Sequence, residues 1–194
     1  MNYLAHLHLG GSDREQLLGS LYGDFVKGPL DNRWPLAIEQ AIRLHRRIDA
    51  FTDSHPLIDR ARARFPEARR RVSGILVDVF FDHCLSRHWT AYADQPLEAF
   101  IARFYRILLS EPDLPPRLAR IAPRMAAQDW LGSYQEFRII EQVINGMASR
   151  LSRPVLFEGA FAEVEARYAL LEQDFFDFYP ELLAFVRQAQ RDRY

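Results

Sequence analysis

The sequence predicts an all-α fold, a single-domain bundle of seven or eight helices around one core. Apolar residues recur at three-and-four spacing through most of the 194 residues, which is the pattern of amphipathic helices. Prolines separate these segments and mark the corners of the chain. Strict alternation of apolar and polar residues is confined to His6-Leu7-His8-Leu9, which is too short to build a sheet. We therefore expect one helical domain over 1–194.

Composition excludes several classes of protein. Hydrophobic residues make up 48% of the chain and charged residues 26%, as in globular rather than disordered proteins. A net charge of −1 argues against a general electrostatic attraction to nucleic acid, and the single cysteine, Cys84, excludes an internal disulfide framework. The first residues lack a secretory signal, and no apolar run reaches the roughly 18 residues of a membrane span. We expect a cytoplasmic protein that binds neither membrane nor nucleic acid.

The first two helices are predicted from capping residues and proline. Ser12 and Glu15 form a capping-box pattern, which predicts a helix over about 13–27. The second helix is predicted over about 35–53, where Pro35 fits the first turn. Pro56 lies just beyond the expected end of this second helix.

A third helix is predicted over about 66–92. Its middle, 75–85, is apolar nearly all round, which predicts a central and buried helix. The remaining helices are predicted at about 96–109, 115–127, 130–149 and 158–179. Pro180 is expected to kink or end the last of them, before a final amphipathic turn or two.

Two carboxylates lie in the most apolar stretch of the chain. Asp78 and Asp82 are four residues apart, so they share one face of the predicted third helix, and His83 follows directly. Burying a carboxylate costs several kcal/mol unless it is paired or binds a metal. One interpretation is a core network paired with arginine, and the other is metal ligation or general acid–base chemistry.

The second predicted helix carries a stripe of possible metal ligands. His45, Asp49 and Asp53 recur every four residues at the edge of its apolar face. An imidazole with carboxylates suits Mn²⁺, Fe²⁺, Mg²⁺ or Zn²⁺. Arg46 and Arg47 could hold the oxygens of a phosphoryl substrate beside such a cation. The alternative is a helix surface with ordinary ion pairs.

Other candidates are less specific. Asp24 stands near the end of the first predicted helix, where a carboxylate opposes the helix dipole and therefore needs a partner. His6 and His8 project to one side if their segment is extended. A dense basic run consists of Arg60, Arg62, Arg64, Arg69, Arg70 and Arg71. This run is either a solvated loop and helix start, or a docking surface for an acidic partner or a phosphate backbone.

Five blocks of the chain carry a family pattern. They are 1–9, 18–21 with 24–26, 44–49 with 52–53 and 55–56, 78–83 with 85–89, and 145–150. Together they resemble the bacterial acyl carrier protein phosphodiesterases, also called acyl carrier protein hydrolases. Several long blocks in the right order are more specific than any single motif. The resemblance runs from the first residue into the last predicted helix.

The resemblance implies an activity and a cofactor. The family removes 4′-phosphopantetheine from the serine of holo acyl carrier protein, leaving the apo carrier, and it prefers Mn²⁺, for which we expect Mg²⁺, Fe²⁺ or Co²⁺ to substitute. It looks like an atypical relative of the all-helical HD-domain phosphohydrolases. This chain lacks their contiguous His-Asp pair, because Asp82-His83 is in reversed order and His45 and Asp49 lie one turn apart.

The candidate site is therefore chosen by chemistry among the residues present. Catalytic and metal-binding roles are expected for Asp24, His45, Asp49, Asp78, Asp82 and His83, with His6 as a further metal ligand. Substrate-binding roles are expected for Arg46, Arg47, Asp53, Arg69, Arg70 and Arg71, with the acidic carrier protein as partner. Two other hypotheses stay open: a helical phosphohydrolase of nucleotides or small phosphoesters, and a non-catalytic helical module that binds an acidic protein.

Overall fold

The computed structural model describes residues 1–148 and 154–191, and this part of the chain contains helices and no strand, which confirms the all-α prediction. Ser149 and Arg150, the last residues of the fifth family block, lie outside the described residues. The α-helices are α1 (Tyr3–Leu9), α2 (Arg14–Tyr22), α3 (Leu36–Asp53), α4 (Pro56–Ala63), α5 (Ser73–Arg87), α6 (Leu97–Leu109), α7 (Pro116–Ala127), α8 (Trp130–Ser133), α9 (Ile139–Ala148), α10 (Ala160–Glu165) and α11 (Tyr168–Arg191). Short 3-10 turns lie at Glu67–Arg69, Trp89–Ala91 and Pro154–Phe157.

The first helices differ from the prediction at their ends. The N-terminal segment that carries His6 and His8 is helix α1 rather than an extended strand. Helix α2 begins one residue later than expected, because the side chain of Gln16 accepts the backbone N–H of Asp13 at 3.1 Å. It ends at Tyr22, five residues before the predicted end. Helix α3 matches its prediction closely.

Helix α4 was missed, because Pro56 was assigned to the end of the preceding helix. In the structure Pro56 is the first residue of α4, where its missing N–H costs nothing. The ring Nδ1 of His55 accepts the backbone N–H of Leu57 at 3.3 Å and caps the new helix. The observed helix in the region of the predicted third helix is therefore shorter than expected. It is α5, which contains the buried middle of the predicted segment.

Shorter elements replace the last two predicted helices. The segment 130–149 contains α8 and α9, and the segment 158–179 contains α10 and the start of α11. Pro180 does not end α11, which runs on to Arg191. The buried side chains of Leu182 and Val186 continue the apolar face beyond it. Their burial offsets the hydrogen bond that proline removes, each contributing about 1.5–3 kcal/mol.

Helix α5 lies at the centre of the bundle, as its sequence predicts. It packs against α1, α4, α9, α10 and α11, and Leu76, Phe80 and Phe81 are fully buried. In the described residues no helix is long and apolar enough to cross a membrane.

Two glycines let α2 and α3 approach each other closely. A Cβ added at Gly19 would lie 2.4 Å from the carbonyl oxygen of Ile38 and 2.5 Å from the Cβ of Ala41. A Cβ added at Gly23 would lie 2.2 Å from Cγ of His45. Any side chain at these positions would force the helices apart. The close approach places the backbone of α2 against the imidazole of His45.

Candidate metal centre

Three candidate ligands meet where α1 packs against α3. Nε2 of His6 lies 3.1 Å from Oδ1 of Asp49, and Nε2 of His45 lies 3.2 Å from Oδ2 of the same carboxylate. Both histidines are buried, whereas the Asp49 side chain is 44% exposed. Among residues 1–148 and 154–191, this is the single group of His, Cys, Asp or Glu whose ligand atoms all lie within 4.8 Å of one another.

The orientation of His45 is fixed by the backbone of α2. Its Nδ1 lies 2.8 Å from the carbonyl oxygen of Ser20. A carbonyl only accepts hydrogen bonds, so Nδ1 carries the proton and donates it to this contact. In the neutral ring, Nε2 therefore carries a lone pair that points at Asp49. Ser20 acts through its backbone, which is why sequence reasoning missed it.

The imidazole of His6 is buried, its Nδ1 has no hydrogen-bond partner, and its Nε2 faces only the carboxylate of Asp49. It is stacked on the ring of His45, with 3.7 Å between the ring centroids. Burial, and then the neighbouring His45, lower the pKa of His6 to about 3. The ring is therefore neutral near pH 7 and has a lone pair available for a ligand.

The donor set fits a divalent cation. Burial would raise the pKa of Asp49, but its contacts with His45 and His6 outweigh this and lower the pKa below the ordinary range. The centre therefore combines an ionised carboxylate with two imidazole nitrogens at 3.1 and 3.2 Å from its oxygens. Where a nitrogen carries no proton it repels the carboxylate, and a cation bound between them removes that repulsion. Two imidazoles and a carboxylate suit the first-row divalent metals.

Asp24 lies beside this group. One of its carboxylate oxygens, Oδ2, is buried without a hydrogen-bond partner. Burial, and after it the negative charge of Asp49, raise the pKa of Asp24, while His45 opposes the shift. Asp24 directly follows Gly23, the residue that packs against His45. The expectation that Asp24 needs a specific partner is consistent with this environment.

Asp78 and Asp82 contact the N-terminal segment and do not belong to the group of three candidate ligands. The Met1 ammonium group lies 3.0 Å from Oδ1 of Asp78. Burial would lower the pKa of this amino group, but the charges of Asp78 and Asp49 outweigh it and raise the pKa. Oδ2 of Asp82 accepts the backbone N–H of Leu4 at 2.7 Å and Oδ1 accepts that of Ala5 at 3.2 Å. Asp82 therefore satisfies the open amides at the start of α1.

Replacing Asp82 by alanine should lower stability without removing the metal ligands. Two amide N–H groups in the interior would lose their acceptor, so we expect a loss of about 1–3 kcal/mol in the free energy of unfolding. Urea denaturation measures this loss, and calorimetric titration with Mn²⁺ measures binding by the folded variant. Loss of Mn²⁺ binding with unchanged stability would instead assign Asp82 to the metal centre.

His83 has both ring nitrogens engaged elsewhere. Nδ1 donates to the carbonyl oxygen of Tyr134 at 2.6 Å, and Nε2 lies 3.0 Å from the hydroxyl of Tyr168. Burial lowers the pKa of His83, so the ring is neutral and holds α5 to its neighbours. The structure brings His6, His45 and Asp49 together with Asp24 nearby, and it does not bring Asp82 or His83 into the group. The metal-binding roles of Asp82 and His83 stay predictions that this geometry does not support.

Comparison with known proteins agrees with the sequence blocks. Residues 1–182 match the model of the family described as acyl carrier protein phosphodiesterase. The chain belongs to this family. Proteins named acyl carrier protein phosphodiesterase from Salmonella dublin and Salmonella agona (strain SL483) are each 39% identical over 186 residues, covering 95% of this chain and 96% of the relative. No solved structure matches, so the likeness to HD-domain enzymes stays a prediction.

In this member of the family, the two arginines after His45 contact backbone carbonyls. Nη2 of Arg46 donates to Val26 at 3.1 Å, which ties α3 to the segment after α2. Nη1 of Arg47 lies 3.5 Å from the carbonyl oxygen of Ala189. Asp53 is exposed and pairs with Arg62 at 2.6 Å. It lies one turn beyond Asp49 and is absent from the group of three ligands.

The basic run is largely used in internal ion pairs. Asp174 of α11 is fully buried, with Nε of Arg60 at 2.7 Å and the guanidinium of Arg64 making two contacts at 3.1 Å. Arg69 pairs with Glu163 at 3.0 Å. These arginines hold α11 and α10 to the α4 region.

Arg70 and Arg71 are exposed and have no ion pair among the described residues. Of the three arginines of the basic run that were predicted to bind substrate, Arg69 is therefore engaged in the fold, and Arg70 and Arg71 remain accessible to a partner.

Proposed function

We propose that this protein is a metal-dependent phosphodiesterase that acts in the cytoplasm as one domain. It hydrolyses the phosphodiester between 4′-phosphopantetheine and the serine of holo acyl carrier protein, releasing apo carrier protein and 4′-phosphopantetheine. Family membership and the names of the relatives support the substrate. The observation that carries the metal-dependent chemistry is the convergence of lone pairs from His6, His45 and Asp49.

We assign Mn²⁺ to this centre, with Mg²⁺, Fe²⁺ and Co²⁺ as substitutes. His6, His45 and Asp49 would hold the ion, and Asp24 is a further carboxylate that interacts electrostatically with His45 and Asp49. When bound, the cation supplies positive charge that activates water and neutralises the phosphate oxygens. The carbonyl of Ser20 keeps Nδ1 of His45 protonated, so that Nε2 stays available.

Residues of the chain itself supply the remaining functions. The raised pKa of Asp24 and its unpartnered Oδ2 suit it to accept a proton from the attacking water. Arg46 lies one residue beyond His45, and it brings a positive charge to the side of α3 that faces the segment after α2. Its guanidinium is suited to a non-bridging phosphate oxygen.

The non-catalytic alternative requires aspartates paired with arginine. Asp49 faces two imidazoles, Asp78 faces the Met1 ammonium, and Asp82 faces backbone amides. None of the three has a guanidinium partner among the described residues. Asp49 instead presents its two oxygens to two imidazole nitrogens, and these ligand atoms all lie within 4.8 Å of one another, an arrangement that suits a divalent cation. This contrast favours the enzyme over a binding module.

The deciding experiment uses intact-mass spectrometry. Holo acyl carrier protein incubated with this protein and Mn²⁺ should lose the mass of its prosthetic group and leave the apo carrier, with 4′-phosphopantetheine in the supernatant. Treatment with EDTA should stop the reaction, and added Mn²⁺ should restore it. An unchanged holo mass with active, folded protein and metal would refute the proposal. Cleavage of small phosphodiesters alone would instead support the nucleotide or small-phosphoester enzyme.

A further inference from the structure

We infer that the cavity between α1, α7, α8 and α9 binds the pantetheine arm of the substrate. This inference rests on the proposed function and assigns a place to the part of the substrate beyond the phosphate. The cavity has a volume of about 390 Å³. That size lies within the roughly 300–1,000 Å³ of small-molecule sites. We call it the arm cavity.

The arm cavity lies beside the candidate metal centre. Tyr3 lines the cavity and precedes His6 by three residues on α1. Residues three apart lie on the same helix face, about 4.5 Å apart along the axis. The ring of Tyr3 also stacks on Phe25, with 6.3 Å between centroids, and Phe25 directly follows Asp24. Tyr3 therefore lines the cavity from the same face of α1 that carries His6.

Tyr134 is a second residue that links the arm cavity to the surroundings of α1 and Asp24. It lines the cavity and is almost fully buried, so it belongs to the innermost part of the wall. Burial and then nearby charges, including those of Asp82 and Asp24, raise the pKa of Tyr134. The same hydroxyl lies close to Asn2 at the start of α1. Tyr3 and Tyr134 thus place the inner end of the cavity beside Asp24 and the first turn of α1.

The lining matches the chemistry of the arm. Pantetheine has methyl and methylene groups separated by two amides. Trp130, Ile139 and Val143 supply aromatic and branched apolar surface, while Gln128 and Gln142 supply side-chain amides. The carbonyl of Gln128 accepts the indole N–H of Trp130 at 3.0 Å, which leaves its NH₂ group as a donor. Arg124 also lines the cavity and is the one charged residue among the described lining, with its guanidinium 5.4 Å from the centroid of the Trp130 ring. The other polar groups of the lining are neutral and lie among apolar ones, which suits an amide-containing chain.

The positions of Asp49 and the arm cavity also agree with the order of groups in the substrate, in which the phosphate separates the carrier protein from the arm. The phosphate joins the carrier serine to the arm, so the arm leaves the phosphorus on the side away from the carrier. Asp49 is partly exposed to solvent on α3, whereas Tyr3 of α1 lines the arm cavity. A phosphodiester at the metal centre can therefore have the carrier outside and the arm inside.

Gly146 offers a way to fill the cavity. It lines the cavity on α9, and a Cβ added there meets no described atom within 4 Å. Gly146→Leu should place a branched side chain in the space of the arm, because its Cβ has room there. Gly146→Ala is the matched control, because it adds one methyl group and removes the helix penalty of glycine. Val143→Trp is a second filling variant, in case the first fails to fold.

Two readouts test the inference. Isothermal titration of the full-length protein with pantetheine should show binding, and Gly146→Leu should weaken it at least tenfold while Gly146→Ala leaves it within twofold. The filling variants should also raise the KM for holo carrier protein at least tenfold. Hydrolysis of bis(p-nitrophenyl) phosphate, which lacks the arm, is measured in parallel and should fall less than hydrolysis of holo carrier protein, whereas equal losses on both substrates would contradict the inference.

Equal pantetheine binding by the unmodified protein and folded Gly146→Leu would overturn the inference, and so would the absence of binding to the unmodified protein. These outcomes differ from a failure of the proposed function. If the unmodified protein leaves holo carrier intact, the phosphodiesterase proposal fails, and the pantetheine titration alone decides the cavity.

Discussion

Asp49→Asn is expected to lower Mn²⁺-dependent hydrolysis of holo acyl carrier protein by at least about 1,000-fold, or about 4 kcal/mol. Asparagine keeps the shape of the side chain but removes the charge that faces both imidazoles. The pair of histidines would then offer no anion to a divalent cation. We also expect Mn²⁺ affinity to fall in the same variant, because metal binding and catalysis use the same group.

The rate is measured by following conversion of holo to apo carrier by mass spectrometry, and metal affinity is measured by calorimetric titration. Stability should change little, since Asp49 is half-exposed. Asp59→Asn is a matched control, because Asp59 is an exposed acid on α4 whose ion pair with Arg62 is long, at 3.9 Å. Full activity in folded Asp49→Asn would remove the metal centre from the mechanism.

Gly23→Ala is expected to reduce Mn²⁺ affinity and hydrolysis by about 100-fold, the upper range for changes that misplace a metal ligand. The backbone of Gly23 is in the right-handed helical region, so alanine is tolerated there in conformational terms. The obstacle is the added Cβ, which would lie 2.2 Å from Cγ of His45. His45 cannot simply retreat, because His6 is stacked on its ring at 3.7 Å.

The expected result separates positioning of His45 from a general loss of packing. Gly74→Ala is the control, since its nearest neighbour is the Arg62 guanidinium at 3.4 Å, an ordinary contact. Both variants should remain helical by circular dichroism, with Gly23→Ala less stable by about 1–3 kcal/mol. If Gly23→Ala binds Mn²⁺ as tightly as the unmodified protein, α2 does not set the position of His45.

Two of the three candidate metal ligands could be predicted from their spacing in the sequence. His45 and Asp49 are one turn apart, and that spacing holds on any α-helix regardless of what packs against it. The third ligand, His6, was a candidate only as a member of an alternating pair on an extended segment. The structure makes that segment helical, and this places His6 against α3 and leaves His8 to contact Tyr179 at 2.7 Å.

The two aspartates of α5 illustrate the opposite case. Their position in an apolar helix predicts that Asp78 and Asp82 need partners, and each has one, although only Asp82 is fully buried and the side chain of Asp78 is 32% exposed. The partners are an ammonium group and backbone amides about 77 residues away along the chain. Amide groups are the same in every residue, so no side-chain pattern could have identified them.

The basic run before α5 shows the same limit, because its partner is also distant in the sequence. The arginines before α5 predict an exposed basic surface only if no acidic residue pairs with them in the fold. Asp174 does pair with Arg64, although it lies 110 residues further along the chain. Proline at position 56 likewise fits the end of one helix and the start of another equally well. Local chemistry restricts such choices but does not decide between them.

The sequence by itself determined that this protein is helical, that α5 is its buried centre, and that one turn of α3 carries an imidazole and a carboxylate, because these properties depend on residue spacing and apolar content. The tertiary structure alone decided that His6 completes the group, that Ser20 orients His45, and that Asp82 supports α1. The physical reason is that a ligand set is defined by which lone pairs converge. Convergence depends on how distant helices pack, which in this chain is set by glycines and backbone carbonyls rather than by ligand residues.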